Sequence, residues 1–136
     1  MRVLFDANIL LDILLKRAGC LESALAVAQT SDPWLSTLSL ANVCYVIGRC
    51  KTARIQAPLD YMRNRFSLAS FTASSVDRSM ALQFADFEDA VQVAIAEETE
   101  IPLLATRNVR DFAATDKVRI VSVEDLLQLQ KAQESR

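Results

Sequence analysis

At 136 residues the chain has the length of one domain, read over 1–136, and 51% hydrophobic residues with only five Gly or Pro exclude a disordered chain. It contains no histidine, which excludes histidine acid–base catalysis, Ser-His-Asp triads and histidine zinc sites. A net charge of −2 excludes a chain that binds nucleic acid by overall charge, although residues 1–65 hold a net +3 and residues 66–136 a net −5.

Other classes fall away on simple grounds. Cys20, Cys44 and Cys50 cannot all pair and form no C-x-x-C, so they read as buried thiols of a cytoplasmic protein. No apolar stretch approaches the ~18 residues of a spanning helix. Asp6 and Asp12 break the first apolar runs, which makes a poor secretory signal and leaves no reason for a membrane partner.

Residues 2–5 read as a short buried strand ended by Asp6. A helix follows with Asn8 as its N-cap and Ile9, Leu10, Ile13 and Leu14 on one side. LESALAVAQT is a second helix with Leu21, Leu25 and Ala28 inward, stopped before Asp32-Pro33 because proline pushes its predecessor out of helical geometry. Trp34–Ser36 is a strand. The next helix carries Leu40, Val43, Cys44 and Ile47 at helical spacing.

Residues 53–65 form a further helix in which Pro58 demands a late start or a kink. Residues 67–71 read as a strand, and Ser74 or Ser75 caps a helix over 76–85 with Val76, Met80 and Phe84 on one face. Helix 87–98, strands 102–105 and 118–121, and a helix from about Val123 complete the chain. Short strands alternating with helices define an α/β domain with a mostly parallel sheet.

Acids that directly follow short buried runs sit at the carboxyl ends of strands, where open α/β sheets bind their ligands. Asp6 is the strongest of them. Asp86 and Asp89 lie three apart and share a helical face, or else Asp86 caps the helix with Asp89 in its first turn. Asp111 is a weaker candidate. Four acids from three segments can hold Mg²⁺ or Mn²⁺, since like charges held close repel and a cation relieves them. Such an ion orients water and stabilises charge on a phosphoryl centre, which points to a phosphodiesterase and first of all to a ribonuclease. In A-T-R-N-V-R-D-F, Thr106 can hydrogen-bond a carboxylate or phosphate and Asn108 can position water. Arg107 and Arg110 offer bidentate donors to phosphate, or lie on an ordinary surface. A covalent phosphotransferase using Asp6 is disfavoured, because D-A-N lacks a second aspartate.

Four pieces together resemble the PIN domain, especially VapC-type toxins of the DFEDA/TRN form: VLFDANILLDILL at 3–15, LSLANVCYVIGR at 38–49, DFEDAVQVAIA at 86–96 and PLLATRNVRDF at 102–112. The resemblance implies a three-layer α/β/α fold, an acidic crevice, Mg²⁺ or Mn²⁺ as cofactor, and endonucleolytic hydrolysis of RNA. The family's first acid falls on Asp6 and its third on Asp89, with Asp86 an additional acid of the DFEDA form. Thr106 matches the hydroxyl after the fourth strand, the fourth acid falls at Asn108, and Asp111 is the acid that follows the TRN form. The second acid falls on Asn42, an amide that adds no charge and cannot be a general base. The resemblance therefore also admits a catalytically weakened or inactive domain that binds RNA or protein. It further implies an antitoxin partner and a homodimer formed through residues 39–65, where Leu40, Tyr45, Val46, Tyr61 and Met62 serve an interface or the core.

Overall fold

The computed structural model describes residues 1–49, 54–82, 84, 86–112 and 115–135. Its first half runs β1 (Arg2–Phe5), α1 (Ala7–Leu14), α2 (Cys20–Gln29), β2 (Asp32–Ser36), α3 (Thr37–Gly48) and α4 (Gln56–Arg65). Its second half runs β3 (Ser67–Ala69), α5 (Ala73–Leu82), α6 (Phe87–Glu98), β4 (Leu103–Ala105), a 3-10 turn (Val109–Asp111), β5 (Arg119–Val121) and α7 (Val123–Glu134). The strands form one parallel sheet in the order β3-β2-β1-β4-β5.

Alternation along each strand divides the core into two layers. Val3, Phe5, Leu35, Leu103, Ala105 and Val121 face a cluster built with α1, α2, α3, α4 and α7. Leu4, Ala69 and Leu104 face the other side, where α5 and α6 contribute Leu82, Val91, Val93 and Ile95. The fold is therefore a three-layer α/β/α sandwich. Covering both faces is what a parallel sheet requires, and it explains why Val3, Leu4 and Phe5 are all fully buried. Burial of side chains of this size contributes about 1.5–3 kcal/mol each.

The chain leaves β1 toward β2 and β3, then returns to place β4 on the opposite side of β1. That reversal opens a crevice beyond the carboxyl ends of β1 and β4, the usual ligand position in such sheets.

Several local features differ from the sequence reading. Strand β2 includes Pro33, which is in register with Val3 of β1, while pairing with β3 begins only at Trp34. Strand β3 stops at Ala69. In α2 the leucines point outward: Leu21 is 79% and Leu25 48% exposed and Ala28 is also exposed, while Ser23, Ala26 and Val27 are buried. The small face wins because the end of α2 is pinned from inside. Gln130 Nε2 donates to the Ala26 carbonyl, and Arg65 donates to the Val27 carbonyl.

Helix α1 begins at Ala7, so Asp6 rather than Asn8 occupies the N-cap position. Helix α5 begins three residues early because Thr72, not Ser74 or Ser75, closes its first turn; Ser75 N–H donates to Thr72 Oγ1 and Thr72 N–H to Ser75 Oγ. Its buried residues are Ser75 and Ser79, which allow close packing on α6, and Met80 is 72% exposed. Gln83 and Ala85 at its expected end lie outside the described residues, as do Cys50 and residue 53. Pro58 sits in the first turn of α4, where its missing donor would have no intrahelical acceptor. Of the five residues considered for an interface, Met62 is core, Leu40 and Tyr61 pack partly buried against it, and Tyr45 and Val46 are exposed.

Candidate active site

Phe5 and Ala105 are register partners at the ends of β1 and β4, so the residues that follow them emerge side by side. Those residues are Asp6 and Thr106. Thr106 Oγ1 donates to Asp6 Oδ2 at 3.0 Å and accepts from the Asn108 N–H at 3.2 Å. Thr106 is fully buried and Asp6 is 8% exposed. Burial is the main cause that lifts the Asp6 carboxyl above its ordinary value, and the charge of Glu88 adds to it. Thr106, the Ala7 N–H and Asn8 pull the other way by hydrogen bonding the carboxylate.

Helix α6 brings the next acids. Asp86 is its N-cap and accepts the Asp89 N–H at 3.0 Å, while Glu88 and Asp89 occupy the first turn. Every residue from Ala90 to Ala96 is buried, which fixes the helix against the sheet and holds its N-terminus at the crevice. Asp89 is pushed up to about 7, first by burial, then by the charges of Asp86, Asp6, Asp111 and Glu88. Four neighbouring carboxylates thus act on Asp89, and with burial they favour its protonated form.

Helices α3 and α6 are tied beneath the crevice by Gln92 Nε2, which donates to Ser39 Oγ at 2.6 Å. Ser39 is itself held by the N-cap of α3, donating its N–H to Ser36 Oγ. One turn further along, Asn42 Nδ2 donates to Glu88 Oε1. Nothing in the sequence singles out Glu88. It sits beside Asp86 and Asp89 in DFEDA, but its meeting with Asn42 spans 46 positions and has no local signature.

The segment after β4 divides its side chains. Asn108 and Asp111 form a turn closed by the Asp111 N–H to the Asn108 carbonyl, and Arg110 is exposed within it. Arg107 turns elsewhere: its Nη1 lies 2.9 Å from Asp12 Oδ1, with Arg17 at 3.9 Å from the same oxygen. Asp12 is only 1% exposed, so this ion pair anchors the segment to α1. The sequence-derived residues Asp6, Asp86, Asp89, Asp111 and Thr106 converge on the crevice. Asn42 reaches it through Glu88, and Arg107 is engaged by Asp12.

The donor set is all oxygen, which suits a hard divalent cation such as Mg²⁺ or Mn²⁺. The mutual repulsion recorded at Asp89 is the kind that a cation relieves. Among the described residues, however, no three acidic, histidine or cysteine side chains are already grouped as ligands of one ion.

Sheet order, layers and acidic crevice together define a parallel α/β/α domain with its site at the β1–β4 edge. A family model described as a PIN domain matches residues 2–110, and the chain belongs to the PIN-domain family. Solved structures share this fold. A toxin–antitoxin complex from Klebsiella pneumoniae gives a TM-score of 0.68 at 24% identity, over 89% of this chain and 97% of that one. VapBC2 from Rickettsia felis, bound to a DNA fragment from their promoter, gives 0.69 at 17% identity, over 90% and 98%. FitAcB from Neisseria gonorrhoeae gives 0.68 at 17% identity, over the same shares. At these identities the likeness is one of fold. A search of curated proteins finds no match.

Proposed function

We propose that the chain is a single PIN-like domain, the toxin of a toxin–antitoxin pair, whose acidic crevice acts on RNA as a metal-dependent endoribonuclease. The observation that carries this reading is the meeting of the β1 and β4 ends, where Asp6 is held by Thr106, with the α6 N-terminus that carries Asp86 and Asp89; burial and neighbouring acids push Asp89 up to about 7 there. Charge gathered at that cost in stability points to a cationic occupant. Asp6 and Asp89 would hold Mg²⁺ or Mn²⁺, with Asp86 and Asp111 beside them. Bound there, the ion would supply Lewis-acid stabilisation of phosphoryl charge. Thr106 keeps the Asp6 carboxylate aimed, Asn108 offers a neutral oxygen to water, and Arg110 meets the RNA phosphate. The toxin–antitoxin complexes that share the fold support an antitoxin partner. A homodimer through the exposed Tyr45 and Val46 surface and a cytoplasmic setting belong to the same reading, and among the described residues no helix is long and apolar enough to cross a membrane.

A second reading has its own support. Among the described residues the carboxylates are not pre-grouped around one ion, and position 42 carries an amide. As folded, the crevice suits a catalytically weakened or inactive PIN domain that binds RNA or protein better than it suits a preassembled nuclease. Cleavage would then await a metal and a substrate phosphate that draw the acids together.

The deciding experiment incubates a total-RNA pool with native protein and with the Asp6→Ala/Asp89→Ala protein, in Mg²⁺ and in Mn²⁺, alongside a metal-free RNA-binding assay. Metal-dependent cuts by native protein alone support the nuclease. Binding without cuts in either metal, with both proteins folded, supports the second reading.

A further inference from the structure

We infer that Asp12 is a positioning residue for the crevice: through Arg107 it fixes the exit of β4, and with it the hydroxyl that aims Asp6. The inference rests on the proposed reading of Asp6 as a working acid. Its own ground is that two segments of the chain are joined twice. Asp6 is the N-cap of α1, and Asp12 lies in the second turn of the same helix. Thr106 and Arg107 are neighbours at the end of β4 and take one acid each. Thr106 Oγ1 donates to Asp6 Oδ2 at 3.0 Å, and Arg107 Nη1 donates to Asp12 Oδ1 at 2.9 Å. The Asn108 N–H, 3.2 Å from Thr106 Oγ1, is carried with them.

An anchor that served stability alone would not need this chemistry. Desolvation offsets most of the attraction in a buried ion pair, and apolar side chains of similar volume stabilise as well or better. What the charges add is one defined register between α1 and the β4 exit. Asp12 is buried and is itself held in place, because the Arg17 N–H donates to its carbonyl at 2.9 Å. Arg107 is not held by packing alone. A cavity of about 150 Å³, lined also by Glu22, Ser23 and Glu124, opens beside the pair and leaves room for other rotamers. The bond to Asp12 selects one of them, and the backbone of Thr106 and Asn108 follows.

The test replaces the pair by apolar side chains in the full-length protein, Asp12→Leu/Arg107→Met, beside Arg107→Lys. Arg107 reaches Asp12 through a single nitrogen, so a lysine can keep the bond. Amide hydrogen exchange is followed by NMR without metal or RNA, at Thr106 and Asn108 and at the core residues Val93 and Leu104. In Asp12→Leu/Arg107→Met the Thr106 and Asn108 amides are expected to exchange about tenfold faster or more while the core amides keep native protection, because local opening is separate from global unfolding. Arg107→Lys should exchange like the native protein at all four. Metal-dependent RNA cleavage by the same proteins is the second readout: kcat falls about 10²-fold in the pair variant with KM little changed, the scale of a misplaced group, and Arg107→Lys recovers most of it. Arg107→Met, which leaves Arg17 beside Asp12, gives the same reading if the pair variant does not fold.

Equal loss of protection at all four amides would mean that the pair serves stability alone, and it overturns the inference. Native protection at Thr106 and Asn108 in the folded pair variant also overturns it, as does a native kcat despite a loosened loop. Faster exchange confined to Thr106 and Asn108, with no cleavage by the native protein in Mg²⁺ or Mn²⁺, overturns the nuclease reading and leaves Asp12 as the residue that sets the β4 exit.

Discussion

The hydroxyl of Thr106 and the carboxylate of Asp6 meet at 3.0 Å although 100 positions separate them, because their preceding residues are register partners in the sheet. Both side chains are buried, so neither can exchange the other for water at little cost. Thr106→Val keeps the shape and removes the donor. It is expected to cost about 1–3 kcal/mol and to lift the Asp6 carboxyl further above its ordinary value. Thr106→Ser should recover most of the loss. Urea unfolding of the three proteins checks this, and a Val variant as stable as the native protein would show that the bond contributes nothing.

Asp89 makes stability depend on pH with a definite sign. Its folded value of about 7 lies above the ordinary 3.8, so the folded state holds the proton more tightly than the unfolded chain does. Stability contributed by that proton is complete near pH 4, falls as pH rises, and is gone above about pH 7. Asp89→Asn should therefore be more stable than the native protein at pH 7.5, with the advantage shrinking toward pH 4. Loss of a negative charge from the first turn of α6 opposes this by roughly 0.3–1 kcal/mol. Thermal unfolding across pH 4–8 without divalent metal is the measurement, and an advantage that grows toward acid pH would refute the assignment.

Asp86 has two roles that two substitutions separate. Its side chain caps α6, and its charge helps hold the Asp89 proton. Asp86→Ala loses both and should cost about 1 kcal/mol. Asp86→Asn keeps a capping oxygen and should be nearly as stable as the native protein, yet Asp89 should titrate lower in both variants. Carboxyl-carbon NMR titration reads the second effect. Equal destabilisation by Asn and Ala would mean that the charge, not the cap, stabilises the helix.

Much of this arrangement was legible in the sequence because it is local. The run after Asp86 predicts helix 87–98, and the structure has Phe87–Glu98, since a capping acid fixes its start and a mostly apolar stretch, broken only by Gln92, fixes its burial. Asp6 was likewise legible from its place after VLF. What was hidden depends on contacts between distant segments. Helix α2 offers two apolar faces, and the leucines look inward until Gln130 and Arg65 pin the other face. Thr72 and Ser75 share a cap, although the sequence points to Ser74 or Ser75 alone. Glu88 reads as one more first-turn acid until α3 brings Asn42 to it.

Arg107 and Arg110 read alike in the sequence, but the structure gives them different work. Arg107 neutralises Asp12, whose side chain is 1% exposed, while Arg110 is exposed on the turn beside Asp111. Removing one partner of a fully buried ion pair costs about 3–5 kcal/mol. Arg107 is 41% exposed and Arg17 lies near the same oxygen, so Arg107→Ala should cost less, about 2–3 kcal/mol. Its effect on RNA should be indirect. The slope of log affinity against log salt is expected to stay unchanged in Arg107→Ala and to become shallower by about 0.7 in Arg110→Ala, the value of one single-strand phosphate contact. Arg110→Ala should leave stability within about 0.5 kcal/mol, as surface substitutions do. Unfolding and salt-dependent RNA binding on both variants decide the matter. A shallower slope in Arg107→Ala with stability intact would mean that this arginine leaves Asp12 for phosphate when RNA binds.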